Sequence, residues 1–320
     1  MKAMKKIILI SIATISGLLL ASCNKETGRT DAKYITVEAG IGNLSKVSYN
    51  ANKSSFETGD NLSLFVWMDD STAIPAVSEL IVDGVVNTLE KDGKWWPDTQ
   101  MLWEDTVNPH YFMAVSPARV VKSFTADEYV LNPSADKYSE SDLLIATVLT
   151  GVKAQDNPVK LVFDHAMAKL NVNLTFRNQW TQGNPPVHPN TEAKVSFVDV
   201  QAKDNATINY IDKEVTATGI STLVLLNKVE NASWTSLMVP QEGFREITIF
   251  LDENDPWWGG NGIYEYIHSA DIPLVSGKVT TVNLIVGRDQ ITLAEGGITI
   301  TDWAAGEVIN NGEAQIPEND

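Results

Sequence analysis

Residues 163–176 read FDHAMAKLNVNLTF, and the second half of this segment decides the fold. Apolar and polar side chains alternate strictly there: Leu170, Val172, Leu174 and Phe176 against Asn171, Asn173 and Thr175. A period of two residues predicts a half-buried β-strand. Just upstream, Phe163, Ala166 and Met167 fall at helical spacing, which predicts a brief bend or helical turn leading into the strand. We expect this strand to open the second of two domains.

Short β-patterned runs separated by turn residues extend on both sides of this strand, from Tyr34 to Trp303. Asp83-Gly84 predicts the turn of a hairpin, and Asp92-Gly93 predicts a second tight turn. Long amphipathic helices are absent from the pattern, which favours an all-β fold of antiparallel β-sandwiches. A mature chain of roughly 300 residues exceeds what one core usually organises. We therefore predict domains at 34–157 and 158–303, joined at AQDNP (154–158), and an acidic tail at 304–320.

The first 22 residues have the order of a secretory signal peptide: a basic start, an apolar run at residues 7–20 and small residues at its end. The apolar run is shorter than the roughly 20 residues that a membrane-spanning helix needs. Cys23 follows directly and is the only cysteine, which excludes a disulfide within the chain. Its context, L-A-S-C, resembles a bacterial lipobox and predicts lipid attachment, as palmitate, at Cys23; an ordinary cleaved signal is the alternative. Residues 23–33 are polar and form a tether.

Charge and motifs exclude several classes of function. A net charge of −17 disfavours nucleic acid or anionic lipid as a surface partner. The sequence contains none of H-E-x-x-H, C-x-x-C, a P-loop, G-x-S-x-G or G-x-G-x-x-G, so we predict no enzyme, no cofactor and no metal site. The four histidines lie in different segments: His110, His165, His188 and His268. The acidic segment LDENDP at 251–256 is either a calcium loop without EF-hand spacing or a solvated turn.

Two tryptophan doublets, at 95–96 and 257–258, lie beside turns. Neighbouring residues in a strand point to opposite faces, so one indole of each doublet is expected at the surface. Trp96 and Trp258 are therefore candidate contacts for stacking on sugar rings. The alternative is that both doublets cap the ends of the sandwich cores.

Several phrases, in order along the chain, carry a family resemblance. Residues 163–174 read F-x-H-A-x-A-K-L-x-V-x-L and resemble the entry to the C-terminal domain of the fimbrillin-like proteins of Bacteroidetes, the donor-strand type V pilins. The others are FETGD at 56–60, Trp103 with HYFMAVSPA at 110–118, SDLLIA at 141–146 and ITITDW at 298–303. The resemblance implies two tandem transthyretin-like, Greek-key β-sandwiches. It also implies a fimbrium subunit anchored by lipid to the outer membrane, whose partners are other pilin subunits and surface glycans or proteins.

The resemblance assigns roles to particular residues. It implies that residues 34–45 form a strand removed on maturation, with Ile35, Val37 and Ala39 as its inward face. The family is cut after an arginine, where this chain has Lys46, so cleavage by a lysine-tolerant protease and the absence of cleavage both stay open.

At the other end the resemblance implies an assembly strand anchored by Ile298, Ile300 and Trp303. The function that we expect is a structural and adhesive pilus subunit assembled by donor-strand exchange; a surface lipoprotein that binds glycans through tryptophans is the alternative. Stalk, tip and anchor roles are equally open.

Overall fold

The computed structural model describes residues 33–42, 55–68, 79–132, 138–176, 195–230, 232–251, 263–286 and 291–303. These residues form β-strands almost throughout, with one helical turn, α1 (Tyr138–Ser141), so the all-β prediction is confirmed. None of the helical structure within these ranges is long and apolar enough to cross a membrane.

The N-terminal half contributes eight strands: β1 (Val37–Ile41), β2 (Asn61–Trp67), β3 (Val82–Leu89), β4 (Trp95–Pro97), β5 (His110–Ser116), β6 (Asp127–Val130), β7 (Leu144–Val152) and β8 (Val159–His165). All except β6 belong to one seven-stranded sheet in the order β1-β8-β7-β5-β2-β3-β4. The sheet curls until its two edge strands, β1 and β4, touch each other. Its concave face encloses an apolar core that includes Leu62, Leu64, Phe112, Leu144, Leu161 and Phe163.

The described residues of the C-terminal half form eleven strands: β9 (Ala168–Phe176), β10 (Val195–Ala202), β11 (Asn205–Asn209), β12 (Glu214–Thr218), β13 (Thr222–Leu225), β14 (Asn227–Glu230), β15 (Ser233–Met238), β16 (Gln241–Leu251), β17 (Ile263–Leu274), β18 (Lys278–Val286) and β19 (Ile291–Asp302). Two sheets, β13-β10-β16-β17 and β14-β15-β9-β18-β19, enclose a second core. The alternation in β9 is confirmed, because Leu170, Val172 and Leu174 are buried in this core.

A third, small sheet ties the two halves together. Its order is β12-β11-β6, so a strand from residues 127–130 pairs with one from residues 205–209. The Tyr210 hydroxyl donates a 2.8 Å hydrogen bond to Asp127 Oδ2, and Asp127 Oδ1 accepts the Lys122 amide at 3.1 Å. Burial raises the pKa of Tyr210, which keeps the hydroxyl protonated as a donor. A third apolar core lies between this sheet and the convex face of the seven-stranded sheet.

Several expectations change in the structure. Residues 82–89 are one continuous strand rather than a hairpin, because Gly84, at φ 64°, adapts to a register shift between β2 and β3 instead of a chain reversal. Residues 159–165 form β8 and the chain bends at Met167 before β9, so of the two expected forms the bend is present and the helical turn is not. The halves are not purely antiparallel, since β1 pairs with β8 and β9 pairs with β18 in parallel. The boundary predicted at 157/158 precedes β8, whereas strand pairing places β8 in the N-terminal sheet.

Candidate assembly site

Strand β1 and the residues before it close the gap in the curled sheet. Along β1 the chain pairs in parallel with β8, in a register from Val37 opposite Val159 to Ile41 opposite Phe163. Residues 33–35 pair instead with residues 101–103 on the far side, where Tyr34 and Leu102 form an antiparallel bridge. We call the space between β8 and residues 101–103, which residues 33–41 fill, the β1 slot. Without these residues, backbone groups on both sides of the slot would lose their partners.

The inward face of residues 33–41 is apolar and buried. Ile35 is 2% exposed, Val37 5% and Ile41 9%, while Ala39 is partly buried against the same core. The sequence prediction thus placed Ile35, Val37 and Ala39 on the correct face and missed Ile41. The same alternation, continued by one step to residue 41, would have found it. The structure therefore gives the slot four inward positions.

A tryptophan and a histidine hold the start of the segment. The Ile35 amide donates to the Met101 carbonyl at 2.9 Å, and Trp103 Nε1 donates to the Tyr34 carbonyl at 3.0 Å. The Trp103 ring packs edge-on against His110 at 4.9 Å between centroids. His110 Nε2 accepts the Glu104 amide at 3.3 Å, which requires an unprotonated nitrogen. Burial lowers the pKa of His110 and favours that neutral form.

A cluster of three residues lies just beyond the end of β8. His165 Nδ1 is 2.8 Å from Asp142 Oδ1, and the His165 ring stacks on Trp303 with centroids 4.0 Å apart and planes 4° apart. We call these three residues the His165 cluster. They come from three phrases that are remote in sequence, FDHA, SDLL and TDW. Asp142 was not among the predicted site residues, because no periodic pattern links it to His165.

The predicted assembly residues near the C-terminus do not share one environment. Ile298 packs against the core of the C-terminal half, Ile300 is 43% exposed, and Trp303 packs against the core between the halves. The Trp303 amide also donates to the Gly277 carbonyl at 2.9 Å. The structure thus brings Trp303 into the His165 cluster and leaves Ile300 at the surface.

A cavity of about 330 Å³ separates the end of β1 from the His165 cluster. Its walls include Ile41 and Gly42, His165 and Trp303, and the lysines Lys213 and Lys278. The Lys213 ammonium lies 2.8 Å from Asp164 Oδ2, and Lys278 pairs with Asp302. The wall is formed by the seven-stranded sheet, by Lys213 in the turn between β11 and β12, by residues 276 and 277 in the turn between β17 and β18, and by Lys278 at the start of β18.

Of the remaining predicted site residues, the structure describes Trp96 alone. Trp96 is 55% exposed, and its Nε1 donates to Asp92 Oδ2 at 3.2 Å. Cys23, Lys46, Trp258 and the acidic segment after Leu251 fall outside the described residues. Among the described residues, no three His, Cys, Asp or Glu side chains are grouped closely enough to hold a metal ion.

Comparisons with known proteins agree with this geometry. The sequence profile described as fimbrillin-like matches residues 49–303. Two similar crystal structures are candidate cell adhesion proteins: one from Bacteroides uniformis (TM-score 0.63, 15% identity, 86% of this chain and 100% of that chain) and one from Bacteroides ovatus (TM-score 0.63, 16% identity, 86% and 99%). A third is a fimbrial protein from Bacteroides vulgatus (TM-score 0.50, 10% identity, 85% and 100%). At these identities the structures establish the fold alone.

A search of curated proteins gives no match. The family profile, in contrast, spans well over half of the chain and includes β2 to β19. The resemblance read from the sequence phrases is therefore confirmed. The protein belongs to the fimbrillin-like family, whose members are structural and adhesive rather than enzymatic proteins of cell-surface appendages.

Proposed function

We propose that this protein is a pilus subunit whose β1 segment is removed, so that an extended segment of another subunit fills the β1 slot by donor-strand exchange. The observation that carries the proposal is the position of residues 33–41 between two backbone ladders, β8 on one side and residues 101–103 on the other. This segment supplies backbone hydrogen-bond partners to β8 and to residues 101–103. A replacement strand recovers them, which is the principle of β-augmentation.

The energetics suit an exchangeable strand. Burying Ile35, Val37 and Ile41 at about 1.5–3 kcal/mol each contributes about 5–9 kcal/mol. Ordering the seven residues 35–41 costs about 7–14 kcal/mol at 1–2 kcal/mol per residue. The two terms are comparable, so covalent attachment to the rest of the chain matters for keeping β1 in place. A cut beyond Gly42 would remove that attachment on one side, and Lys46 is the first lysine or arginine after Gly42.

The site of lipid attachment completes the proposed pathway. Cys23 precedes the β1 segment, so a cut at Lys46 separates the lipid-bearing N-terminus from the folded domains. We therefore propose export as an outer-membrane lipoprotein, cleavage at the cell surface and release of the trimmed subunit into a growing fimbrium. Its partners would be other subunits that offer a strand.

A disulfide that locks β1 in the slot tests this proposal directly. Glu38 and Lys160 are exposed partners in the parallel register, so the pair Glu38→Cys with Lys160→Cys can form a cross-strand disulfide. In a Cys23→Ser background, the chain is cut with a lysine-specific protease and examined for SDS-resistant multimers. We expect multimers from the reduced protein and none from the oxidised protein. Equal multimer formation in both states, or a trimmed chain that stays monomeric at every concentration, overturns the proposal.

Glycan binding is a second candidate function. Its support is Trp96, whose indole is exposed and held by the Asp92 carboxylate beside it. An indole with a neighbouring carboxylate offers a sugar one stacking face and one hydrogen-bond acceptor. This candidate rests on one side chain, whereas assembly rests on a buried segment with backbone partners on both sides, so assembly is the better supported function.

A further inference from the structure

Strand β13 is the least protected sheet edge among the described residues. A sheet edge presents unpaired backbone groups to other chains, and proteins commonly protect it with a charged side chain, a proline or a bulge. Of the eight edge strands in the four sheets, all but β13 contain a charged residue or a proline: β1, β4, β6, β12, β14, β17 and β19. The sequence of β13 is Thr-Leu-Val-Leu, which has neither. This edge is therefore open to pairing with another chain.

The side chains of β13 make the same edge apolar. Leu223 is 63% exposed and Leu225 is 58% exposed, whereas Val224 between them is buried in the core of the C-terminal half. Single exposed leucines are common on protein surfaces, but apolar side chains beside unpaired backbone groups form the combination that associates with a further strand. We call the open side of β13, with Leu223 and Leu225, the β13 edge.

The pairing of β13 with β10 determines which backbone groups face outward. The Leu226 amide donates to the Val198 carbonyl at 2.9 Å. In the antiparallel ladder, residues 222, 224 and 226 therefore turn their N–H and C=O groups toward β10. Leu223 and Leu225 alternate with them and turn theirs to the open side, where no described strand pairs with β13. The β13 edge thus offers two N–H groups and two carbonyl groups to a partner.

The distribution of charge favours a second copy of this chain as that partner. Two copies that each carry a net charge of −17 repel one another wherever their charged surfaces meet. Residues 215–227 contain no Asp, Glu, Lys or Arg, so two copies can meet at the β13 edge without bringing like charges into contact. A charged partner would find no ion pair in this stretch.

We propose that two copies of this protein associate by antiparallel pairing of their β13 strands about a two-fold axis at Val224. In this register Leu223 of each copy is opposite Leu225 of the other. Both residues have outward backbone groups, so four N–H···O=C hydrogen bonds form. The two leucines also lie on the same face of the sheet, which gives each an apolar cross-strand neighbour. The edge is complementary to itself, as a two-fold interface requires.

The contact differs from donor-strand exchange in place and in consequence. β13 belongs to the sheet β13-β10-β16-β17, whereas the β1 slot belongs to the seven-stranded sheet. Pairing at the β13 edge therefore leaves the slot available. Between fibres the contact would join subunits side by side, a consequence that rests on the proposed function, whereas the dimer itself does not.

Two single-cysteine variants test the register. Leu223→Cys and Leu225→Cys are made separately in the uncut chain with Cys23→Ser, so that each chain carries one cysteine. In the proposed register the Cα atoms of residue 223 in one copy and residue 225 in the other are about 5.5 Å apart, within disulfide range. Cysteines at the same position in both copies are about 8 Å apart, beyond that range. On non-reducing gels we expect the oxidised mixture to give at least tenfold more covalent dimer than either variant alone.

Sedimentation equilibrium measures the contact without a cross-link. In the Cys23→Ser background we expect a monomer–dimer equilibrium whose dissociation constant rises at least tenfold in Leu223→Lys, even though the added lysine lowers the net repulsion between copies. The matched control is Ile267→Lys, because Ile267 is 65% exposed and lies on β17, the opposite edge of the same sheet. We expect this control to change the dissociation constant less than twofold.

Three outcomes would each overturn the proposal. The uncut chain could sediment as a monomer at every concentration, either cysteine variant could cross-link alone as well as in the mixture, or Ile267→Lys could weaken the dimer as much as Leu223→Lys. These measurements use the uncut chain with β1 in place. Because Leu223→Lys leaves the β1 slot intact, SDS-resistant multimers of the cut chain should persist in it, so failure here is distinguishable from failure of donor-strand exchange.

Discussion

Strands β1 and β19 both lie at the edge of a sheet, yet they are held in opposite ways. β1 has five residues, and the inward side chains of its segment are almost completely buried in a slot that has backbone partners on both sides. β19 has twelve residues and pairs with β18 along its length, but most of its side chains are only partly buried or exposed. Both strands are held by backbone pairing, and the β1 segment is held in addition by side-chain burial, which contributes little to β19.

This difference bears on which strand can be exchanged. A slot lined by apolar side chains accepts any extended segment with matching alternation, because apolar burial is not directional. A long antiparallel hairpin is specific to its own register and turn. We therefore infer that β1 is the replaceable element of the fold and that β19 belongs to the permanent framework.

The largest expected effect comes from a charge in the slot. Val37→Asp would bury an unpaired carboxylate, at a cost of more than about 3 kcal/mol, so β1 should leave the slot. The matched variant Ile300→Asp, on the exposed part of β19, should cost less than about 1 kcal/mol. Hydrogen exchange of the β1 amides measures the release of β1, and urea unfolding measures the loss of stability in each variant. Comparable losses in the two variants would contradict the distinction between the strands.

A smaller effect should come from a methyl group in the β19 backbone. A Cβ at Gly297 would lie 2.6 Å from the Ala294 carbonyl oxygen and 2.4 Å from Leu293 Cγ, so Gly297→Ala should cost about 2–3 kcal/mol through shifted backbone. Gly296→Ala, with φ 64° and open space, isolates the cost of the backbone conformation at about 1 kcal/mol. Thermal unfolding compares the two. An equal loss for both would show that β19 tolerates the close contact.

The smallest expected effect is a pH dependence confined to the start of the β1 segment. Burial lowers the pKa of His110 below its ordinary value of about 6.5. Below that value the histidine of the unfolded chain binds a proton, whereas the buried His110 of the folded chain stays neutral. The free energy of unfolding therefore falls as the pH drops below about 6.5, and the full stability is present above that pH. Exchange of the Ile35 amide, corrected for intrinsic rates, should therefore accelerate between pH 7 and pH 5.5 while the β19 amides change little. His110→Gln should abolish the difference; if it persists in this variant, another group is responsible.

Alternation in the sequence was sufficient to locate the buried face of a strand whose other face is exposed to solvent. It placed Leu170, Val172 and Leu174 in the core, while the family resemblance set Ile35 and Val37 on the inward face of the β1 segment. At 163–167 the sequence pattern left a bend and a helical turn open, whereas β8 continues in alternation through His165 and the chain then bends at Met167. Asp83-Gly84 misled in another way, since a glycine with positive φ serves a bulge as well as a turn.

The grouping of residues into a site lay beyond any local pattern. The His165 cluster combines residues from three separate sequence phrases. The ends of β8, α1 and β19 bring His165, Asp142 and Trp303 into contact. The pairing of β6 with β11 likewise joins residues that are remote in the chain. Local periodicity predicts which face of a strand a side chain occupies. The residues that contact it from other elements are known only from the folded structure.

The sequence by itself determined that this protein is β-rich, that it resembles the fimbrillin-like family and, through that resemblance, that Ile35, Val37 and Ala39 face inward. The reason is that alternation, turn residues and short family phrases are local properties of the chain. The tertiary structure alone decided that residues 33–41 lie between two ladders and that a cavity lined in part by His165 and Trp303 adjoins their end. Both features depend on how a sheet curls and where separate sheets meet, which is set by packing between residues distant in sequence.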